Sequence, residues 1–288
     1  MVHPPLFQSA KLSQSNSFTE KKESDDIDSN VPRSVFIGGG GELATAREVL
    51  RHKSVKRVVM VDLDREIVNC CKKYLPEWGG DAVASNPRLE LVIGDCYEYL
   101  LNCNEKFDVI IMDISDPIEA GPGVMLYTKE FYEHAKSLLT ENGVFVTQAG
   151  TADAIPYPSA AKGTSDTCCF GPITNTLGMV FDCAVPYTTN IPSFGSDWGF
   201  VLAYDTRKNP EQAVLDTMSR PVYEIDEMVS SRIGDLHDIM NSDKDGHEIL
   251  RHYDGTTHHR MFFLTKSLRA LLKNEKRLIT RDNPIFMY

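Results

Sequence analysis

Two aspartates three residues apart, Asp113 and Asp116, follow the apolar run Val109-Ile110-Ile111-Met112 and anchor the stretch Asp113-Ile114-Ser115-Asp116-Pro117. Both carboxylates can face an incoming polycation, one near a reacting amine and the other on a neighbouring nitrogen. An amine nucleophile must lose its proton before it attacks, and a carboxylate within hydrogen-bond reach can receive it. Asp113 is the candidate base. Asp116 precedes a proline and would serve equally well as a turn opener.

A further acid, Glu42, stands at the tip of the turn Gly38-Gly39-Gly40-Gly41-Glu42. Glycines between a strand and a helix let backbone N–H groups approach a ligand closely, which makes Gly39 and Gly41 candidate binding positions. The spacing is not G-x-G-x-x-G, because Leu43 and Ala44 follow the acid, and a tight strand-to-helix connection explains the glycines as well. If the turn grips an adenosyl sulfonium, Glu42 repels S-adenosylmethionine, whose tail is a carboxylate. It attracts the decarboxylated form, whose tail is an ammonium.

Asp62 lies about 20 residues beyond the turn, where an acid at a strand end can accept hydrogen bonds from ribose hydroxyls. Asp64 is the better placed of the two to cap the following helix. Asp95 either takes an adenine amino group or caps the helix beginning near Cys96. No metal site is read. Asn241 to Gly246 imitates the opening of an EF-hand loop, but the twelfth position is His252 where calcium needs a bidentate Glu. His258-His259 lack partners at ligand spacing, and a surface or packing role fits them better.

Short apolar strands alternating with helices must position these groups. The strands are predicted at Val35 to Ile37, Val58 to Val61, Leu89 to Ile93, Val109 to Met112 and Val144 to Val146. Helices are predicted over Thr45 to His52, up to Tyr74, up to Leu101 and from about Lys129 to Leu139. This alternation describes an α/β fold, a doubly wound and mainly parallel sheet of the methyltransferase-like Rossmann type, covered on both faces. Ligands bind beyond the carboxyl ends of such strands, where Gly39 to Glu42, Asp62, Asp95 and Asp113 fall. Ala152 to Pro172 suits a loop or lid over the site. Cys183 to Tyr187 and Phe200 to Tyr204 complete the sheet, and Leu268 to Lys276 is the clearest helix of an appended segment after Pro210. Residues 1–32 are expected to be poorly ordered, since 8–32 are rich in Ser, Lys, Glu and Asp, and 33–288 to form the catalytic domain.

The chain has 288 residues, with 41 Asp plus Glu against 30 Lys plus Arg. An acidic field disfavours nucleic acid and favours cationic ligands, although solubility alone explains it too. The seven cysteines show no C-x-x-C pair, so neither a zinc site nor a disulfide framework is suggested. With no signal-peptide core and no stretch of 18 apolar residues, the expected location is the cytoplasm, with no membrane partner.

Residues 34 to about 205 resemble the aminopropyltransferases, the spermidine, spermine and thermospermine synthases. The matching words are Gly39-Gly40-Gly41-Glu42, Thr45 to His52, Asp62-Leu63-Asp64, Gly94-Asp95 and Asp113 to Pro117. Glu42 in place of the more usual Asp, Pro117 to Pro122, Leu126-Tyr127-Thr128-Lys129, Ile191 to Phe194 and Trp198-Gly199 look most like the thermospermine synthases. The resemblance implies that Asp113 is the proton acceptor and that Asp116 holds the polyamine, with Gln148 and Phe194 lining its channel. Spermidine synthases usually carry Tyr in place of Phe194, and the more apolar wall suits a longer amine. Gly39, Gly41, Glu42, Asp62, Asp95 and Cys96 are then the positions that bind decarboxylated S-adenosylmethionine, a co-substrate; no cofactor and no metal are implied. The family usually has glycine where this chain has Leu43. It also usually carries a preceding small β-domain that helps form a homodimer, and Val2 to Leu6 look like the end of that region. The activity implied is aminopropyl transfer to a polyamine, with spermidine as the acceptor expected here. Spermidine or spermine synthesis, methyl transfer from S-adenosylmethionine on the same sheet, and silent polyamine binding are the alternatives.

Overall fold

A computed structural model describes residues 1–16, 31–152, 168–235, 239 and 250–287. Seven strands form one sheet: β1 (Ser34–Gly39), β2 (Arg57–Asp62), β3 (Leu89–Ile93), β4 (Phe107–Asp113), β5 (Leu139–Thr151), β6 (Cys183–Ile191) and β7 (Ser196–Tyr204). Their order is β3-β2-β1-β4-β5-β7-β6. The first five run parallel, and β7 enters antiparallel between β5 and β6. The expected doubly wound, mainly parallel sheet is therefore the one observed.

The apolar runs are continuous because successive side chains feed two cores. On one face lie Val35, Ile37, Val58, Met60, Val109, Ile111, Val144 and Val146. Phe36, Val59, Val61, Ile110, Met112 and Phe145 point to the other. The helices α1 (His3–Asn16), α2 (Ala44–Leu50), α3 (Arg65–Tyr74), α4 (Gly80–Ala84), α5 (Cys96–Leu101), α6 (Lys129–Ser137), α7 (Phe170–Gly178), α8 (Pro210–Met218), α9 (Val222–Arg232), α10 (Gly255–Phe262) and α11 (Lys266–Asn274) connect or cover the sheet. Their starts follow local chemistry. Asp64 accepts from the Glu66 and Ile67 amides to cap α3, Asp95 accepts from Tyr97 N to cap α5, and Thr128 caps α6.

The expectation of poor order over residues 1–32 does not hold for the start of the chain. His3–Asn16 is helical, with Val2, Leu6, Phe7 and Ala10 buried. Leu6 and Ala10 are four apart and Phe7 lies beside them, so they make one apolar stripe, while Pro4 and Pro5 sit in the first turn where N–H groups have no helical partner. The polar composition of the longer stretch conceals that stripe. Residues 17–30 lie outside the described residues, as do 153–167 of the expected lid and the EF-hand-like stretch Asn241 to Gly246. From Phe170 the lid stretch is the helix α7. His258 is buried, bonded to Tyr253 OH at 2.7 Å and to Thr217 O at 3.3 Å, which is a packing role. Burial holds its pKa down at about 4.

Candidate functional site

The strand order reverses between β1 and β4, and the two strands pair in register so that Gly39 faces Asp113. In sheets of this kind ligands bind beyond the strand ends at such a switch point. The glycine turn lies against the end of β4: Gly40 N donates to Asp113 O at 3.1 Å. Gly39 has φ +80°, and a Cβ there would stand 2.0 Å from Asp113 O, so only glycine lets the two backbones meet. A Cβ on Gly41 would stand 2.8 Å from Asp62 Oδ2, which joins the turn to the end of β2.

Three carboxylates share this corner. Burial pushes the Glu42 carboxyl up to about 7, the negative charge of Asp113 adds to the shift and Asp62 adds less. The Asp113 carboxyl is raised too, by burial first, with Asp62 contributing. The Thr45 hydroxyl opposes this by donating to Asp113 Oδ2 at 2.5 Å. Asp62 Oδ1 accepts from Asp64 N at 2.9 Å, leaving Oδ2 toward Gly41. Among the described residues, no Lys or Arg side chain forms an ion pair with Glu42, Asp62, Asp113 or Asp116. Arg47 and Arg51 hold Glu48.

Asp116 belongs to a second cluster, built around Gln148 on β5. Gln148 Oε1 accepts from Gly150 N at 2.8 Å and from Trp198 Nε1 at 3.0 Å. Both are obligate donors, so they fix which end of the amide is oxygen. Its NH2 group therefore faces Asp116 Oδ1 at 2.9 Å, Tyr127 OH at 2.6 Å and Ile114 O at 3.0 Å. Tyr127 OH in turn donates to Ser115 O at 3.0 Å, fastening the loop after β4. Burial raises the Asp116 carboxyl, and the Gln148 bond works against that rise. Phe194, on the turn between β6 and β7, is 56% exposed, with its ring centroid 4.5 Å from that of Trp198. Trp198 in turn contacts Gln148, which holds Asp116.

Asp95 and Cys96 stand one strand further out. Asp95 spends one oxygen on the Tyr97 amide at 2.8 Å, the capping alternative of the two read for it. Cys96 is buried, its thiol pushed up to about 12 by burial and then by Asp95; its Sγ lies 3.4 Å from where a Gly38 Cβ would be. Thr45, Tyr127 and Trp198 are the polar partners that local sequence does not disclose, because each acts on a residue that only the sheet brings near. A cavity of about 550 Å³ lies elsewhere, between Gln8, Leu139, Tyr204 and Arg220. Its acids Glu141, Asp205 and Asp216 already face Arg207, Lys136 and Lys208, so it offers no free negative field. Among the described residues no group of three or more His, Cys, Asp and Glu could hold a metal, and no helix is long and apolar enough to cross a membrane.

Strand order defines a Rossmann-like protein with a group of carboxylates at its switch point. Residues 23–213 match the family model described as the spermine/spermidine synthase domain. The chain is 40% identical over 256 residues to a protein named polyamine aminopropyltransferase 2 from Hyperthermus butylicus, covering 89% of this chain and 73% of that one. It is 42% identical over 194 residues to thermospermine synthase ACAULIS5 of Arabidopsis thaliana, covering 67% of this chain and 53% of that one. A crystal structure of spermidine synthase in complex with the transition-state analogue AdoDATO superposes with a TM-score of 0.63 at 26% identity, over 84% of this chain and 70% of the other. The chain belongs to the spermine/spermidine synthase family.

Proposed function

We propose that the protein is a polyamine aminopropyltransferase that moves the aminopropyl group of decarboxylated S-adenosylmethionine onto a polyamine amine, releasing methylthioadenosine. The observation that carries this reading is the trio Glu42, Asp62 and Asp113 at one sheet switch point, with Asp116 in the second cluster that follows β4, none of the four paired with a Lys or Arg side chain among the described residues. Half-buried acids in that state are stabilised by cations, and both substrates are cations. Glu42 takes the aminopropyl ammonium, and Asp62 and Asp95 take the sugar and base, with Gly39, Gly41 and Cys96 admitting the nucleoside against the backbone. Asp116 holds a polyamine nitrogen, its carboxylate aimed by Gln148.

Asp113 receives the proton of the attacking amine. As nitrogen bonds to the carbon beside the sulfonium, the carbon–sulfur pair leaves with sulfur and the positive charge there is discharged. The leaving group is already good, so the protein contributes alignment and one base. Methyl transfer from S-adenosylmethionine is the weaker reading, because the substrate carboxylate would meet Glu42.

Spermidine is the acceptor this reading favours, giving a thermospermine synthase-like reaction. The apolar pair Phe194 and Trp198 beside Gln148 suits the methylene chain of a longer amine. The test is incubation of purified protein with decarboxylated S-adenosylmethionine and either putrescine or spermidine, followed by chromatography that separates spermidine, spermine and thermospermine. Methylthioadenosine release with spermidine, and thermospermine as product, is the expected result. Spermidine made from putrescine would overturn the acceptor assignment. Ligand binding without methylthioadenosine release would overturn the activity.

A further inference from the structure

Thr45 touches the acid on which the proposed proton transfer depends: its hydroxyl donates to Asp113 Oδ2 at 2.5 Å. Thr45 is 8% exposed and sits in the first turn of α2. A threonine has one hydroxyl proton, and Asp113 takes it. Among the described residues no hydrogen bond reaches Asp113 Oδ1.

We propose that Thr45 is the positioning residue for proton acceptance: it occupies Asp113 Oδ2, fixes the carboxylate plane, and leaves Oδ1 as the oxygen that takes the amine proton. This rests on the reading of Asp113 as the base. In the reaction the N–H proton passes to Oδ1 while the new carbon–nitrogen bond forms and the carbon–sulfur pair departs on sulfur. The Thr45 bond to Oδ2 persists, because a protonated carboxyl keeps an acceptor on its other oxygen.

The arrangement also sets the pH at which the base works. Glu42 on the turn and Asp62 on β2 face Asp113 with like charge, while the Thr45 hydroxyl on α2 and the Met1 amino group ahead of α1 face it with support. Removing the hydroxyl takes away a bond to the charged form, so ionisation moves to higher pH.

The experiment compares Thr45→Val, close in volume but without a hydroxyl, with Thr45→Ser, which keeps one. The readouts are kcat/KM against pH, and kcat and donor KM at pH 7.5, by product formation. For Thr45→Val the acid limb should move up by about one pH unit and kcat at neutral pH should fall about tenfold, since a hydrogen bond to a charged group is lost. Donor KM should stay within about threefold. Thr45→Ser should keep the wild-type limb. An unmoved limb in Thr45→Val, or an equal shift in Thr45→Ser, overturns the proposal. If circular dichroism shows Thr45→Val unfolded, Thr45→Ala takes its place with the same readouts. Asp113→Asn separates the two layers: near-normal turnover removes Asp113 as base and this proposal with it, whereas an inactive Asp113→Asn beside an unshifted Thr45→Val removes Thr45 alone.

Discussion

Replacing Glu42 by glutamine should make the fold more stable at pH 8 and the protein a poorer binder of its cationic donor. In the folded chain, burial first and the Asp113 charge second push this carboxyl up to about 7 from an ordinary value of 4.5. The folded state therefore holds the proton more tightly than the unfolded state across that window. Stability falls as pH rises from 4.5 through about 7, and the full cost is present above it. At 1.36 kcal/mol per pH unit the ceiling is about 3 kcal/mol. Glu42 is half-buried, and solvent screening leaves roughly 1–2 kcal/mol. Glutamine keeps the shape and carries no charge. Urea unfolding should show Glu42→Gln more stable than wild type by that amount at pH 8, with the difference shrinking to a few tenths of a kcal/mol at pH 5. The same variant should lose about tenfold or more in kcat/KM for the donor, because its ammonium loses a charge-assisted partner. A stability difference equal at both pH values, or a variant weaker than wild type at pH 8, would refute the argument that this acid is held against its electrostatic interest.

Three further substitutions test the frame around the site. Leu43→Gly should relieve a left-handed backbone (φ +73°) by about 1 kcal/mol, yet it empties a fully buried side chain at a cost of about 3 kcal/mol; denaturant unfolding should show a net loss near 2 kcal/mol, and a stabilised variant would contradict the packing argument. Gly39→Ala should cost at least about 3 kcal/mol, since its Cβ would meet the Asp113 carbonyl oxygen at 2.0 Å, and unfolding at wild-type denaturant concentration would show that the turn has another way to close. Trp198→Phe removes the Nε1–H donor to Gln148 and lets its amide turn away from Asp116; steady-state kinetics with the polyamine varied should show KM raised several-fold with the donor KM unchanged, together with a stability loss of about 1 kcal/mol.

Strands, the helices α2, α3, α5, α6 and α11, and the caps of α3 and α5 were legible in the chain because the signals act over a few residues. Alternate side chains of Val35 to Ile37 or Val109 to Met112 feed two cores, and Asp64 and Asp95 stand next to the amides they cap. Helix α1 escaped because its stripe, Leu6, Phe7 and Ala10 among the described residues, is short and set beside a long polar stretch. Leu43 could be seen to break the glycine pattern, but not to adopt a left-handed φ while packing where Gly79 leaves room, since a Gly79 Cβ would stand 2.7 Å from its own.

Sequence by itself determined which acids end which strands and that a glycine turn precedes one of them, since periodicity and turn chemistry are local properties of a chain. Only the tertiary structure decided what those acids do to one another. Thr45 and Asp113 are 68 residues apart and meet because β1 pairs with β4. Gln148 aims Asp116 because β5 lies between β4 and β7, placing Trp198 on one end of its amide. The raised carboxyls of Glu42 and Asp113 come from desolvation and mutual repulsion, which exist only once the sheet has closed around them.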